Sequence, residues 1–301
     1  MASRAERSMS FGGVAADYDR LRPSPPPEAI DWLLSDRRDV VVDLAAGTGL
    51  LTRALAGKAD HVIAVEPDER MRSVLQARSA DVEVLPGRGE SIPLPDASAD
   101  AVFVSSAWHW MDPSLAVPEI ARVLRDGGRL GVIWTGRQHD IEWLHGDEWF
   151  SEAHAEARGD RESPARPTAS RAKPTERSWR QPSWYEEPDA GDLDELPASE
   201  RIPDRERRQV RLPDRTLFGN IETSVFRFSR YMPVADIVDM LATYSGIITA
   251  SSEAREAGRA RAAAALAAEF PGVAELEVPM RSRCWRADRT SRASGATPQD
   301  H

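Results

Sequence analysis

Short apolar runs alternate with helical patterns between residues 39 and 134. The runs are nearly continuous in Val, Ile, Leu and Ala, and they cover residues 40–44, 61–65, 82–85, 101–104 and 130–134. This pattern is typical of strands that are buried on both faces of a parallel sheet. Residues 50–56, 69–77 and 119–124 have apolar positions at helical spacing, and the glycine pair 127–128 is expected to stop the last helix. The alternation predicts βαβ units with right-handed crossovers, hence an open α/β sheet.

The pattern changes after residue 154 and resumes near residue 217. Residues 155–215 are rich in charge and proline and poor in aliphatic side chains, a composition that buries too little apolar area to offset the entropy of ordering. We interpret them as a polar, flexible insertion. The alternative is a lid that orders over a ligand, with Trp179, Trp184 and Tyr185 as anchors.

The C-terminal part shows a strand near residues 225–228, a helix through 237–241, an alanine-rich helix over 255–269 and a closing strand over 276–285. The two strands would bring the sheet to seven. The predicted organisation is an N-terminal cap segment (1–38), a core (39–154), the insertion (155–215), a C-terminal part of the same domain (216–290) and a disordered tail (291–301).

Composition narrows the class of protein. The chain has 301 residues, 41% of them hydrophobic, and a formal net charge of −10, which argues against general binding to nucleic acid. The single cysteine, Cys284, excludes an internal disulfide framework and a multi-cysteine metal site, so we expect a reducing, cytoplasmic setting. Because no apolar run approaches the roughly 20 residues that cross a bilayer, we expect no membrane span.

The most informative segment is residues 42–52, where a strand ends, a Gly47-x-Gly49 turn follows and a helix begins. Glycine permits a tight turn and a close backbone approach, while the start of the helix offers free N–H groups. Glu66 ends the next strand, where its carboxylate can accept hydrogen bonds from both hydroxyls of a ribose. Thr52 occupies the third glycine position of a dinucleotide fingerprint, and Asp43 suits a cationic ligand that carries an amino group. Together these residues predict an adenosine-type ligand.

Five ordered motifs resemble those of class I S-adenosylmethionine (SAM)-dependent methyltransferases. They are residues 42–52, residues 65–68 with Met71, residues 87–96, residues 99–106 and residues 122–128. Residues 11–23 and 107–110 further resemble the methyltransferase type 11 subgroup and are similar to trans-aconitate methyltransferases. Arg88 and Asp126 depart from the family pattern, which has Asp and Pro at these positions.

The resemblance implies a Rossmann-like, doubly wound, seven-stranded and mostly parallel sheet with a C-terminal antiparallel strand. It also implies SAM as cofactor, a small organic acceptor methylated on oxygen, nitrogen or a carboxyl group, and S-adenosylhomocysteine (SAH) as product. The cofactor-binding residues that it indicates are Asp43, Ala45, Gly47, Gly49, Glu66, Pro67, Met71, Arg88, Gly89, Ser105 and Tyr18.

The residues that we expect to contact the methyl acceptor lie after the fourth strand or before the first strand. His109 is the candidate base, and its alternative is a structural histidine packed between Trp108 and Trp110. Trp108, Trp110 and Arg22 are candidate substrate contacts. We expect no metal site, since His139, His145 and the acids around them are explained equally well as solvated charge.

Three rival functions stay open on sequence grounds. An RNA or protein methyltransferase could use residues 158–180 as a basic track, although nucleic acid is not the expected partner. A non-catalytic sensor would bind the donor without turnover. A dehydrogenase is the weakest rival, because the third glycine of its fingerprint is missing. The sequence leaves the oligomeric state open.

Overall fold

The computed structural model describes residues 15–34, 36, 39–138, 149–158, 210, 212–214 and 216–291. The first half contains α1 (Ala15–Leu21), α2 (Pro27–Leu33), β1 (Val40–Leu44), α3 (Leu50–Leu55), β2 (His61–Val65), α4 (Glu69–Arg78), β3 (Glu83–Leu85), β4 (Ala99–Ser105), a 3₁₀ turn (Trp108–Trp110) and α5 (Pro113–Val123). The second half contains β5 (Leu124–Arg137), α6 (Ser151–Arg158), β6 (Phe218–Pro233), α7 (Val234–Ala242), α8 (Ser245–Ile248), α9 (Ser252–Glu269) and β7 (Glu275–Arg289).

The seven strands form one sheet in the order β3-β2-β1-β4-β5-β7-β6. Strands β1 to β5 pair in parallel, whereas β7 runs antiparallel to both β5 and β6. The predicted seven-stranded, mostly parallel sheet with a C-terminal antiparallel strand is therefore confirmed. The strand order reverses between β1 and β4, and in open α/β sheets a ligand crevice forms at the carboxyl ends of strands at such a point.

Alternate side chains of the central strands enter two separate cores. Val42 and Val102 pack with Ile120 of α5 on one face of the sheet. Val41 and Phe103 belong to the core on the other face, which α2 and α3 cover. Because β1 and β4 are covered on both faces, their sequences carry the continuous apolar runs seen above.

A third core lies around the C-terminal helices. It unites buried residues of α7, α9 and β7 with Phe150, whose ring lies directly against Gly258. A side chain at Gly258 would overlap that ring, so close packing of α9 explains the glycine inside this alanine-rich helix.

One helix boundary differs from expectation. The helix α5 ends at Val123, and β5 begins at once with Leu124, which pairs with Ala99. The glycine pair 127–128 therefore lies inside the irregular start of β5 and does not stop the helix. Leu124 is fully buried, so the chain leaves the helix there to place this side chain in the core.

Ordered residues extend past both predicted ends of the polar insertion. The helix α6 runs through the expected boundary at 154–155, and Glu156 accepts hydrogen bonds from the backbone N–H and the hydroxyl of Ser251. Val210 and Leu212 are buried in the core on the α5 face of the sheet. Residues 159–209, and with them the proposed anchors and the basic track, lie outside the described residues. His139, His145 and the tail after residue 291 do as well, so these domain limits stay predictions.

In the part of the chain that the structure covers, no helix combines the length and the apolar character needed to cross a bilayer.

Two linker replacements test the limits of the insertion. We expect replacement of residues 159–209 by a short glycine-serine linker to change the free energy of unfolding little, because loop-closure entropy varies slowly with length. Replacement of 155–215 should cost far more, since burial of Val210 and Leu212 contributes roughly 1.5–3 kcal/mol each. Urea unfolding of both variants beside the intact chain measures the difference, and equal stabilities would contradict the assignment.

Candidate active site

The turn between β1 and α3 has an unusual backbone conformation. Ala45, Gly47 and Gly49 all have positive φ angles, of 56°, 58° and 88°. The N–H of Ala46 donates to the carbonyl of Val65 at 3.1 Å, which fastens the turn to the end of β2. A side chain at Gly47 would meet open space, so this glycine is required by its φ angle and leaves its backbone accessible.

Glu66 connects this turn to the chain after β2. Its Oε2 accepts the N–H of Gly47 at 2.8 Å, and its Oε1 accepts the N–H of Asp68 at 2.9 Å. Burial raises the pKa of Glu66, and the hydrogen bonds from Asp68 and Gly47 oppose that rise. A carboxylate has about four acceptor positions, so Glu66 retains capacity for further donors.

Asp43 lies behind the turn rather than beside it. Its side chain is fully buried, and its Oδ2 accepts the hydroxyl of Thr52 at 2.6 Å. Its Oδ1 is buried with no hydrogen-bond partner in the described part of the chain. Burial raises the pKa of Asp43 to about 7, and the hydrogen bond from Thr52 opposes this rise.

A cavity of about 720 Å³ opens at the carboxyl edge of the sheet. Its walls come from the β1–α3 turn, the start of α4, the chain after β3, the chain after β4 and helix α1. The lining residues are Tyr18, Ala45, Ala46, Gly47, Thr48, Leu50, Leu51, Glu66, Pro67, Met71, Arg88, Gly89, Glu90, Ser105, Ser106, Ala107, Trp110, Met111, Asp112 and Leu115.

Most residues proposed from the sequence meet in this cavity. From the predicted cofactor set they are Tyr18, Ala45, Gly47, Glu66, Pro67, Met71, Arg88, Gly89 and Ser105, and from the predicted acceptor set Trp110. The prediction that residues after β1, β2, β3 and β4 share one site therefore agrees with the geometry.

Two residues of the predicted cofactor set are absent from the lining. Asp43 is screened by the turn and faces Thr52. Gly49 packs against α4, where an added Cβ would lie 2.9 Å from Cγ of Leu75. Both residues therefore support the turn from behind, and their predicted direct contact with a ligand does not fit their positions.

Three residues predicted for catalysis or the acceptor are also absent from the lining. Trp108 is buried in the core below the 3₁₀ turn. The ring of His109 lies against Trp110, with centroids 4.5 Å apart and planes tilted by 43°. Arg22 donates to the hydroxyl and the carbonyl of Thr243 and lies over the ring of Tyr244 at 3.8 Å. These positions favour structural roles for Trp108 and Arg22 and the structural alternative for His109.

Several lining residues were not singled out from the sequence. Thr48 is the most informative, because its hydroxyl is buried without a hydrogen-bond partner in the described residues. The sequence could have indicated Thr48, because it lies between the two glycines of the Gly-x-Gly turn. Glu90 lies within the motif 87–96 quoted above. Asp112 and Leu115 gave no such signal, because the fold alone brings the start of α5 to the cavity.

Helix α1 carries Tyr18 to the cavity and is held there by charged groups. Arg53 of α3 donates to the carbonyl of Thr48 at 2.8 Å and also to the buried carboxylate of Asp19. One guanidinium thus joins the β1–α3 turn to the helix that carries Tyr18.

Comparison with known proteins agrees with this geometry. Residues 42–132 match the family described as a methyltransferase domain. This part of the chain is similar to methyltransferase type 11 domains. The match takes in the β1–α3 turn, Glu66 and the cavity residues from Ala45 to Leu115, whereas Tyr18 lies outside it.

The relatives are methyltransferases as well. An uncharacterized methyltransferase of Mycobacterium tuberculosis is 51% identical over 142 residues, which are 47% of this chain and 58% of that protein. A demethylmenaquinone methyltransferase of Clavibacter sepedonicus is 37% identical over 138 residues, 42% of this chain and 56% of its own. This chain therefore spans little more than half the length of the curated relatives that it matches.

A solved structure is similar in fold over most of the chain. It comes from Anaeromyxobacter dehalogenans, is assigned as a type II methyltransferase, and superposes with a TM-score of 0.58 at 21% identity. The match covers 89% of this chain and 97% of the other. At this identity the likeness concerns the fold.

The raised pKa of Asp43 predicts a pH dependence of stability. Between the ordinary aspartate pKa of about 3.8 and the folded value of about 7, the folded chain binds more protons than the unfolded chain. Stability therefore falls as pH rises through this range. In Asp43→Asn this contribution is absent, because the amide is uncharged and its oxygen can still accept the hydroxyl of Thr52.

Urea unfolding at pH 5 and pH 8 measures this effect. We expect the intact chain to lose more stability between the two pH values than Asp43→Asn does. Asp39→Asn, which changes an exposed aspartate just before β1, is the matched control and should behave like the intact chain. An identical pH dependence in all three proteins would show that Asp43 is ionised throughout.

Proposed function

We propose that this protein is a SAM-dependent methyltransferase that acts on a small organic molecule and releases SAH. The observation that carries the proposal is one cavity at the carboxyl edge of the sheet, lined by both the positive-φ glycine turn and Glu66. The methyltransferase-domain match over residues 42–132 supports it.

The residues present fit the proposed cofactor. The backbone of the turn lines the cavity at Ala45 and Gly47, and its carbonyls offer acceptors to the amino-acid end, since Glu66 already holds the N–H of Gly47. Glu66 has acceptor capacity for ribose hydroxyls, while Pro67 and Met71 give apolar lining for a base. When bound, SAM supplies an electrophilic methyl group on a sulfonium centre.

The negative charge around the cavity suits a cationic cofactor. Glu66, Glu90 and Asp112 line it against one basic side chain, Arg88. Asp43 adds a titratable carboxyl behind the turn. Its predicted role at the amino-acid end of the cofactor is therefore an indirect one, exerted through the turn and through the electric field of the carboxylate.

The chain's own groups would position the acceptor rather than activate it chemically. Tyr18 and Trp110 give the cavity aromatic walls, and an aromatic face attracts a nearby cation. Orientation of two reactants contributes much of the rate enhancement in such transfers. An acceptor carboxylate needs no base, whereas a hydroxyl or a protonated amine must lose a proton.

The named relatives favour a small organic acceptor over RNA. The Clavibacter relative is a demethylmenaquinone methyltransferase, so its name gives a small organic molecule as acceptor. The formal net charge of −10 also disfavours polyanion binding.

A labelled-donor experiment tests the proposal directly. The purified chain is incubated with SAM labelled in the methyl group and a metabolite extract, and labelled products are identified by mass spectrometry. A labelled small molecule supports the proposal. Label found only in RNA or protein supports the polymer methyltransferase, and donor binding without any product supports the sensor.

Substitution of Glu66 tests the cofactor site. Glu66→Ala removes the acceptors for the ribose hydroxyls and also those for Gly47 and Asp68, at about 1–3 kcal/mol for an unpaired polar group. We expect SAH affinity, measured by calorimetry, to fall about 10- to 100-fold. Gly47→Val should bind still more weakly, because valine opposes the positive φ and covers the backbone.

Glu69→Ala is the control for these variants, since Glu69 is an exposed acid in the first turn of α4. Its SAH affinity should equal that of the intact chain. Unchanged SAH binding in Glu66→Ala would remove Glu66 from the proposed site.

His109 gives a second test of mechanism. Because its ring lies against Trp110 and outside the cavity lining, we expect His109→Asn to keep turnover within about tenfold. A positioned base is worth about 10²–10⁴-fold. Turnover with the labelled acceptor is compared at equal thermal stability and equal SAH affinity. A loss of that size in both His109→Asn and His109→Ala would restore the histidine as the base.

A further inference from the structure

Strand β6 is a long and regular edge of the sheet. It has 16 residues, and among the described residues it pairs with β7 alone. A bulge interrupts this pairing between Gly219 and Glu222, and the pairing is regular from Glu222 to Pro233. Such an edge presents N–H and C=O groups to which a further strand can pair, and natural proteins usually shorten or cover it.

The same strand exposes apolar side chains. Five large apolar side chains are exposed in the described part of the chain, and three of them belong to β6: Ile221 (53%), Val225 (40%) and Tyr231 (69%). Val225 and Tyr231 lie on one face of the sheet, because side chains alternate along a strand. Phe226 and Phe228 lie on the other face and pack against cores that helices cover. The open edge and the apolar side chains beside it indicate an interaction surface.

The charges on β6 determine how a second copy of the strand can pair with it. A twofold axis perpendicular to a continuous sheet passes through one residue, because opposite side chains must lie on the same face. The charged side chains of β6 are Glu222, Arg227 and Arg230. An axis at either arginine would place like charges opposite each other, which is destabilising. An axis at Phe226 places Glu222 opposite the partner's Arg230 twice, and no other centre on β6 pairs opposite charges.

Both members of this charged pair are already oriented within their own chain. The carboxylate of Glu222 accepts a hydrogen bond from Arg286 at 2.9 Å. Arg230 donates to the carbonyl of Leu21 at 2.8 Å. A carboxylate has about four acceptor positions and a guanidinium has five donors, so each side chain retains capacity for the opposite charge of a second copy.

This register also covers the exposed apolar side chains. Val225 comes to lie opposite Arg227 of the other copy, whose aliphatic stem can pack over it. Ile221, at the bulge, comes to lie beside Tyr231. Each of these contacts occurs twice, because the interface is symmetric.

We propose that two copies of this chain associate through β6, each strand pairing antiparallel with the other about a twofold axis at Phe226. The two sheets then become one continuous sheet. The inference is independent of the proposed function, because β6 lies three strands away from β4, whose end borders the cavity.

Two double variants that differ at one position test the register. Thr223 and Ser229 are exposed and would lie opposite each other across the axis. Within one chain they are separated by six residues of strand, roughly 20 Å, so they can meet only between copies. Thr223→Lys/Ser229→Lys places like charges opposite each other, whereas Thr223→Glu/Ser229→Lys places opposite charges there. Sedimentation equilibrium of the full chains should give a dimer dissociation constant at least about tenfold higher for the first variant than for the second.

Cysteine cross-linking gives a second measurement that does not depend on affinity. Under mild oxidation, Thr223→Cys/Ser229→Cys should form a disulfide between copies, because opposite Cα atoms of antiparallel strands lie about 4.5–5.5 Å apart. The two single variants are the controls. Each should stay uncross-linked, since its cysteine faces a hydroxyl side chain of the other copy and the native Cys284 is buried.

Three results would overturn the inference. The first is an intact chain that is monomeric up to about 0.1 mM, where a specific pair of ordinary affinity is formed. The second is an equal dissociation constant for the two charged double variants, and the third is equal cross-linking in the single and double cysteine variants.

Val273→Lys is the control for added charge, because Val273 is an exposed apolar residue just before β7 and outside β6. It should keep the dissociation constant of the intact chain, and an increase as large as that of the double-lysine variant would contradict pairing through β6. SAH affinity, measured by calorimetry, should be equal in all these proteins. Loss of the dimer therefore leaves the proposed function standing, and absence of SAH binding leaves the dimer standing.

Discussion

The carboxylate of Glu66 is the contact on which the candidate site depends. It accepts N–H groups from two separate segments, Gly47 after β1 and Asp68 after β2. Hydrogen bonds to a charged group contribute about 1.5–3 kcal/mol. They oppose the effect of burial, which on balance raises the pKa of this acid. Two strand ends and a strained turn are thereby fixed in one geometry before a ligand binds, so that little ordering remains to be done on binding.

The wall of the cavity opposite the strands depends on contacts between distant parts of the chain. Arg53 joins the glycine turn to Asp19 of α1, and Arg22 at the end of the same helix reaches Thr243 after α7. Tyr18 is the residue directly before Asp19 in this helix. Its position over the cavity is therefore set by both the N-terminal and the C-terminal halves of the protein.

Buried and half-buried carboxylates give the site its chemical character. Glu66 and Glu90 each use part of their acceptor capacity on backbone N–H groups and keep the rest. Asp43 stands behind the turn with one oxygen unpartnered in the described residues, and burial raises its pKa to about 7. Hydrogen bonds thus orient the acids that face the cavity, whereas desolvation controls the ionisation of the acid behind it.

The sequence by itself determined the class of fold and the centre of the site. Continuous apolar runs are required of strands covered on both faces, and a glycine at positive φ is a local requirement of the turn, so both can be detected without knowing their neighbours. The same local reasoning identified Glu66, because this residue stands at the end of the strand next to that turn. Only the tertiary structure decided that Asp43 faces Thr52, that His109 lies against Trp110 and that Glu90 reaches the cavity. The direction of a side chain in a loop depends on packing against residues far away in sequence, and no local pattern records that packing.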